Sequence, residues 1–300
     1  MRATARDIPA ASKPPQVADA DTPAKALPKP SEAAIKFLKA FDPKGRHNLV
    51  AIDPEKAARL EGRTFEPEAW AEIAAWIEAR EGRRNLYFSV NEPAASAPDS
   101  KLSKGDVAAI RAVHVDIDPL GDDLEADMAS RRAHTEAERA RLRQLAEKLD
   151  KGSVPPSVTI DSGNGIQALW LFTQKLDAAD NSAPVEAQNR GVAQALDGDM
   201  PAHDIARILR LPGTLNIPDA SKRAKGRTER RAGVIADRDG KYTLSQIAAR
   251  YKPVAEVERT DNSPAVQLLM TSIDLHVVTQ AGAYGELPAD LRRKFEATCV

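Results

Sequence analysis

The chain has 300 residues, with 43 Lys and Arg against 44 Asp and Glu. Its net charge of −1 gives no global positive field, so any polyanion must be met by local patches. A single cysteine, Cys299, excludes a disulfide framework and an all-cysteine zinc site, and no apolar run or signal-peptide core approaches membrane-spanning length; a cytoplasmic protein of one large or two small domains is expected.

Residues 1–30 are rich in Ala, Pro and Lys and bury too little to order themselves, so they read as a disordered tail. Ser31 is placed to cap a helix with Ile35 and Leu38 facing inward. His47–Ile52 reads as a strand. Pro67 opens a second helix, with Trp70, Ile73, Ala74 and Ile77 as its core stripe. Asn85–Asn91 is the next strand, in which Tyr87 and Phe88 are core residues rather than base-stacking ones. A Pro-, Ala- and Ser-rich loop follows and ends at Lys101, Lys104 and Asp106. The stretch Arg111–Pro119 is β-branched and alternating, with Val113, Val115 and Ile117 on one face and His114, Asp116 and Asp118 on the other.

Thr135 and Glu138 have capping-box spacing for a helix carrying Leu142, Leu145 and Leu149, with Arg131, Arg132, Arg139, Arg141 and Arg143 as its solvated face. Ser157–Ser162 and Ile166–Phe172 form a hairpin around Gly163-Asn164-Gly165. Pro184 starts another helix. Ala232–Ile235 and Gly240–Leu244 suggest a closing hairpin. Residues 246–300 are helical or linker-like, and Pro288–Ala297 reads as a helix leading to a further domain. There is no internal repeat. Helices and strands interleave, but the hairpins break a strict βαβ rhythm, which favours α+β with a mixed or antiparallel sheet.

Asp116 and Asp118 lie two apart on a strand, about 7 Å between Cα atoms, and point the same way. Their mutual repulsion is relieved by a hard cation such as Mg²⁺ or Mn²⁺, although two solvated aspartates at a strand end would look the same. The glycine turn is equally either an ordinary hairpin turn or a bare backbone that admits a phosphate, flanked by Ser162 and Gln167. Asp204 is either a helix-start residue or a third metal ligand. Arg207 and Arg210, with the basic run Lys222, Arg223, Lys225 and Arg227, can neutralise a triphosphate or a nucleic-acid backbone. In combination, three spaced carboxylates, a glycine turn and a basic run suit two-metal nucleotidyl transfer.

Three segments carry a family resemblance: Val113-His-Val-Asp116-Ile-Asp118, Ser162-Gly-Asn-Gly-Ile-Gln167, and Asp204 with the following Arg207-Ile-Leu-Arg210-Leu-Pro-Gly-Thr-Leu-Asn216. Together they resemble the motifs of archaeo-eukaryotic primase-type domains, and among these the primase-polymerases of phages, plasmids and integrated elements. The likeness runs over roughly residues 35–245. It implies a fold whose catalytic sheet resembles an RNA-recognition module, packed with an N-terminal α/β unit, the two subdomains of residues 31–245 forming one cleft. It implies Asp116, Asp118 and Asp204 as metal ligands for two Mg²⁺ or Mn²⁺ ions, and Ser162, Gly163, Gly165, Gln167, Arg207 and Arg210 at an incoming nucleotide. Lys104, Lys222, Arg223, Lys225 and Arg227 are then contacts for DNA or triphosphate. The implied activity is template-dependent transfer from an NTP or dNTP to a 3′-hydroxyl on single-stranded DNA, alongside a helicase. One departure stands out: Gln167 occupies the place of the family's histidine and cannot carry its charge. It keeps open a weakly active or inactive single-stranded-DNA-binding module, and a metal-dependent phosphodiesterase or nuclease is a further alternative.

Overall fold

A computed structural model describes residues 29–121 and 127–255. The N-terminal tail up to residue 28, Cys299 and the expected helix at Pro288–Ala297 lie outside the described residues. Among the described residues no helix is long and apolar enough to cross a membrane.

The N-terminal half opens with α1 (Pro30–Phe41), β1 (His47–Ile52), β2 (Leu60–Phe65), α2 (Trp70–Glu78) and β3 (Asn85–Ser89). Strand β1 is buried along nearly its whole length and sits between β2 and β3, antiparallel to both. Strand β2 escapes the hydrophobic pattern because it is a polar edge strand, exposed over its first two residues. Its Gly62 is required by a close approach: a Cβ there would stand 2.2 Å from the Ser100 carbonyl carbon. Ser31 is not the cap of α1. Pro30 takes the first helical turn, Lys29 precedes it without a side-chain cap, and the Ser31 hydroxyl donates instead to Glu78 at 2.7 Å. Likewise Pro67 does not open α2, because Glu68 turns left-handed at φ 65° and the helix begins only at Trp70.

The second half contains β4 (Glu92–Pro93), β5 (Val107–Ile117), α3 (Met128–Asp150), β6 (Val158–Asp161), β7 (Ile166–Asp177) and α4 (Ala178–Leu196). They are followed by β8 (Ile208–Arg210), β9 (Leu215–Asn216), α5 (Ala220–Ala224), β10 (Arg230–Arg231), β11 (Gly233–Asp237) and α6 (Leu244–Arg250). Asp127 caps α3 by accepting the Ser130 N–H, so Thr135 lies inside the helix and its hydroxyl donates to the carbonyls of Arg131 and Lys225. Asp177 caps α4, which leaves Pro184 within the helix rather than at its start. The expected closing hairpin does not form. Strand β11 pairs with β6, while Tyr242 bridges Phe172 and leads to Thr243, the cap of α6.

Two antiparallel sheets result, ordered β2-β1-β3-β8 and β11-β6-β7-β5-β4, with β9 and β10 as a separate short ribbon. One core joins the sheets: Leu49, Leu86 and Phe88 meet Ala112, Ile160, Leu169 and Leu171, with Phe37 and Phe41 of α1 packed on Phe88. A second core covers the other face of the β7–β5 sheet. There Val113, Val115, Ile117 and Trp170 meet Leu142 of α3, Val185 and Val192 of α4, and Ile247 of α6. The fold is α+β, and the alternation of β5 places Asp116 on the face opposite the second core.

Candidate active site

Strand β5 is paired to β7 on one edge, with Asp116 directly opposite Gln167. The short β4 covers only the start of its other edge. The rest of that edge is closed by the chain leaving α4. Asn189 accepts the His114 backbone N–H at 3.0 Å, and the Asp199 N–H donates to the Asp116 carbonyl at 2.8 Å. Inside the same contact, the His114 ring is paired to the Ala202 carbonyl at 3.0 Å, and Asn189 also holds the His203 carbonyl at 2.8 Å. Burial pulls His114 down to about 4, so at neutral pH its ring is uncharged. Further along, Asn91 accepts the Arg111 N–H and donates to the Ile205 carbonyl. The segment 199–205 is thereby laid along β5, and Asp204 comes with it.

Asp204 pairs with Arg207 at 3.1 Å, and the Arg207 charge acts on both Asp116 and His114. Asp116, Asp204 and Arg207 therefore belong to one electrostatic neighbourhood. Burial pushes the Asp116 carboxyl up to about 7, and the charge of Asp118 adds to it. Asp199 acts in the same direction, while a hydrogen bond from Gln167 and the charge of Arg207 oppose them. Asp118 itself is exposed just past the end of β5. Asp199 is the one acidic neighbour of Asp116 that the motif spacing passes over; its only signal is the Asp197-Gly198-Asp199 turn, entered through left-handed Asp197. Among the described residues, no three His, Cys, Asp or Glu side chains are already gathered as a metal-binding group. The donor chemistry, carboxylate oxygens with His114 tied up in neutral hydrogen bonds, nonetheless fits a hard divalent cation.

The glycine turn lies against this strand end. A Cβ on Gly165 would stand 2.7 Å from the Ile117 carbonyl and 3.3 Å from Oδ1 of Asp118. The Ser162 hydroxyl is bonded within the turn, accepting the Gly165 N–H at 3.0 Å. Gly163 adopts φ +98°, which only glycine takes without strain, and its N–H donates to Asp161 at 2.8 Å. Asp161 in turn meets Arg139 and Arg143 of α3, each at 3.4 Å. Arg139 is thus buried against the turn rather than part of a solvated face.

Behind the carboxylates sits Arg210, only 5% exposed. Its guanidinium donates to Asn85 at 2.9 Å, to Tyr87 at 2.9 Å and to Asn216 at 3.0 Å, and stacks 4.2 Å from the Tyr87 ring centre. Among the described residues it forms no ion pair. Its cage is neutral, so the positive charge stays available to an anion. Gln167 is buried between Asp116 and this strand.

The remaining basic residues are placed differently. Lys104 precedes β5 and pairs with Glu186 at 2.8 Å; Glu186 also accepts the Ile205 N–H, so Lys104 lies on the Ile205 side of the segment, away from Asp118. Lys222 faces Asp219 at 3.7 Å and Arg223 pairs with Glu55 at 2.6 Å. Arg223 and Arg227 line a cavity of about 290 Å³ with Arg132 of α3. The Lys225 carbonyl docks onto Thr135.

Residues 128–260 match the family described as the RepB DNA-primase N-terminal domain. The chain resembles RepB-like primases. The match takes in the glycine turn, Asp204, Arg210 and the basic run, and begins after Asp118. Three solved structures are similar to this chain. The AEP domain of the cyanophage S-2L primase-polymerase is 16% identical, with a TM-score of 0.46, covering 73% of this chain and 96% of that one. The primase RepB′ is 13% identical, with a TM-score of 0.46, covering 74% of this chain and 63% of that one. The catalytic domain of primase RepB′ in complex with initiator DNA is 14% identical, with a TM-score of 0.45, covering 74% and 95%. No curated protein sequence matches.

Proposed function

We propose that this chain is a primase-type nucleotidyltransferase that extends a 3′-hydroxyl with NTP or dNTP on a single-stranded DNA template, in the replication of a phage, plasmid or integrated element. The observation that carries the reading is the close approach of Gly165 to Asp118 and the Ile117 carbonyl, which sets a bare-backbone turn beside the paired carboxylates. The RepB-primase match over residues 128–260 supports it.

In this reading Asp116, Asp118 and Asp204 hold Mg²⁺ or Mn²⁺. Cations held there would supply Lewis acidity to the attacking hydroxyl and positive charge to the leaving pyrophosphate. Gly163 and Gly165 let the turn approach the phosphates, with Ser162 fixing its shape. Arg210, caged by neutral groups, supplies positive charge to the triphosphate, and Arg207 does so from beside Asp204. Lys222, Arg223, Lys225 and Arg227 meet the template backbone, and a helicase partner would supply that template as single strand.

Primer synthesis on single-stranded DNA with labelled nucleotides and Mn²⁺ tests the reading. Wild type should make product and Asp116→Ala/Asp118→Ala should make none; a double variant as active as wild type would overturn the assignment. A second reading, a DNA-binding module without incorporation, is favoured by Gln167 in the histidine's place. Template binding without product under Mn²⁺ would select it.

A further inference from the structure

Gln167 is 4% exposed. Its Oε1 accepts the backbone N–H of Arg210 at 3.0 Å, and its amide lies across the strand pair from the Asp116 carboxyl, whose charged form it favours. The second contact follows from register, since Asp116 and Gln167 are direct partners across β5 and β7. An amide offers one acceptor end and one donor end; here the acceptor is taken by Arg210, which leaves the donor for the carboxylate across the strand pair. The bond to Arg210 crosses between the two sheets, because Gln167 belongs to β7 and Arg210 to β8, while Asp116 lies beside Gln167 in the same sheet.

We propose that Gln167 is a positioning residue that fixes the Asp116 carboxylate against β8, and not a ligand of the nucleotide. The inference rests on the reading of Asp116 as a cation ligand. A carboxylate that must grip a cation benefits from one oxygen being held, because its orientation is then set before binding. The same amide fixes the backbone of Arg210, so carboxylate and guanidinium keep one spacing.

The test uses the full chain and Mn²⁺ alone, titrated by electron paramagnetic resonance without nucleotide or DNA, followed by steady-state primer synthesis. Gln167→Met keeps the length and removes the hydrogen bonds. Its Mn²⁺ affinity should fall about 10- to 100-fold, and kcat should fall while the nucleotide KM stays within about twofold of wild type, as expected for loss of carboxylate orientation rather than of substrate binding. Gln167→His offers an acceptor at one ring nitrogen and a donor at the other, and should recover most of the Mn²⁺ affinity. Should Gln167→Met fail to fold, Gln167→Asn, too short to span both partners, carries the same comparison. Wild-type Mn²⁺ affinity in the Met or Asn variant, together with a raised nucleotide KM, would overturn the positioning role and make Gln167 a nucleotide ligand. Wild-type protein that binds no Mn²⁺ would overturn the cation reading of Asp116 first, and the positioning role with it.

Discussion

Gly165 closely approaches Asp118: a Cβ on the glycine would stand 3.3 Å from Oδ1 of the aspartate, and 2.7 Å from the carbonyl before it. The second of these is backbone, which cannot swing aside. Gly165→Ala must therefore push the turn from the strand end. It should lower stability by about 1–3 kcal/mol, the usual cost of overpacking, and cut primer synthesis by more than the stability loss explains. Urea denaturation beside a priming assay at saturating Mn²⁺ would check both.

Asp199 and Asp204 can be told apart. Asp204 is the expected ligand and pairs with Arg207, whereas Asp199 reaches Asp116 through its charge and a backbone hydrogen bond. Asp204→Asn should reduce incorporation at least a hundredfold with the fold intact. Asp199→Asn should leave more activity and bring the Asp116 titration, raised to about 7 in the parent, downward. Carbon-detected NMR of the carboxyl groups measures that shift. Equal losses of incorporation in the two variants would make Asp199 a ligand in its own right.

Cation binding should depend on pH through Asp116. Its carboxyl, pushed up to about 7 by burial and Asp118, has to lose a proton before it can bind a hard cation. Mn²⁺ affinity should therefore drop as pH falls through 7, by up to about tenfold per pH unit. Binding near pH 6.5 should release about three-quarters of a proton. Calorimetry in two buffers of different ionisation enthalpy would detect it.

Stability without divalent cations should respond to acid in two opposing ways. His47 and His114 are held down at about 4 by burial. Each contributes stability that is full above the unfolded value of about 6.5 and is lost as pH falls toward 4, roughly 3 kcal/mol each at the limit. Asp116, raised to about 7, has the reverse sign: its contribution is full at low pH and is lost as pH rises through 7. Asp116→Asn removes that opposing contribution. Its unfolding free energy should fall more steeply between pH 6.5 and 4 than that of the parent chain, as read by urea titrations at several pH values.

Asp42 and Arg111 form a buried pair at 2.7 Å, and Lys175 approaches the same carboxylate at 2.6 Å. Asp42→Ala leaves the Arg111 guanidinium without its carboxylate and should cost about 3–5 kcal/mol. Arg111→Met leaves Asp42 with Lys175 and should cost less. Equal costs, measured by denaturant unfolding, would count against an uncompensated charge as the cause.

Much of this was legible in the residues, for identifiable reasons. Strands β1, β3 and β5 and the β6–β7 hairpin are apolar runs with clear boundaries, and the α+β class follows from their order. The placement of Val113, Val115 and Ile117 in one core follows from simple alternation. Strand β2 was not legible, because an edge strand with one buried residue has no apolar period. Thr135 with Glu138, and Pro184, imitate helix starts, but Asp127 and Asp177 supply the actual caps several residues earlier. At the site, Asp116, Asp118 and the glycine turn are near one another because hairpin register makes them so. The neutral cage of Arg210 comes from Asn85 and Tyr87 of β3 and Asn216 of β9, far apart along the chain, and the approach of Asp199 comes from a helix exit; neither leaves a periodic trace.

Part of the hold on segment 199–205 runs through Asn189, a buried residue of α4 bonded to the His114 N–H and the His203 carbonyl. The bearing of Asp204 is accordingly set by where that helix ends and how it is anchored, much as a gun-sight is zeroed from its mount. Variation at this buried position of α4 would thus retune the chemistry from a distance, leaving every motif residue unchanged.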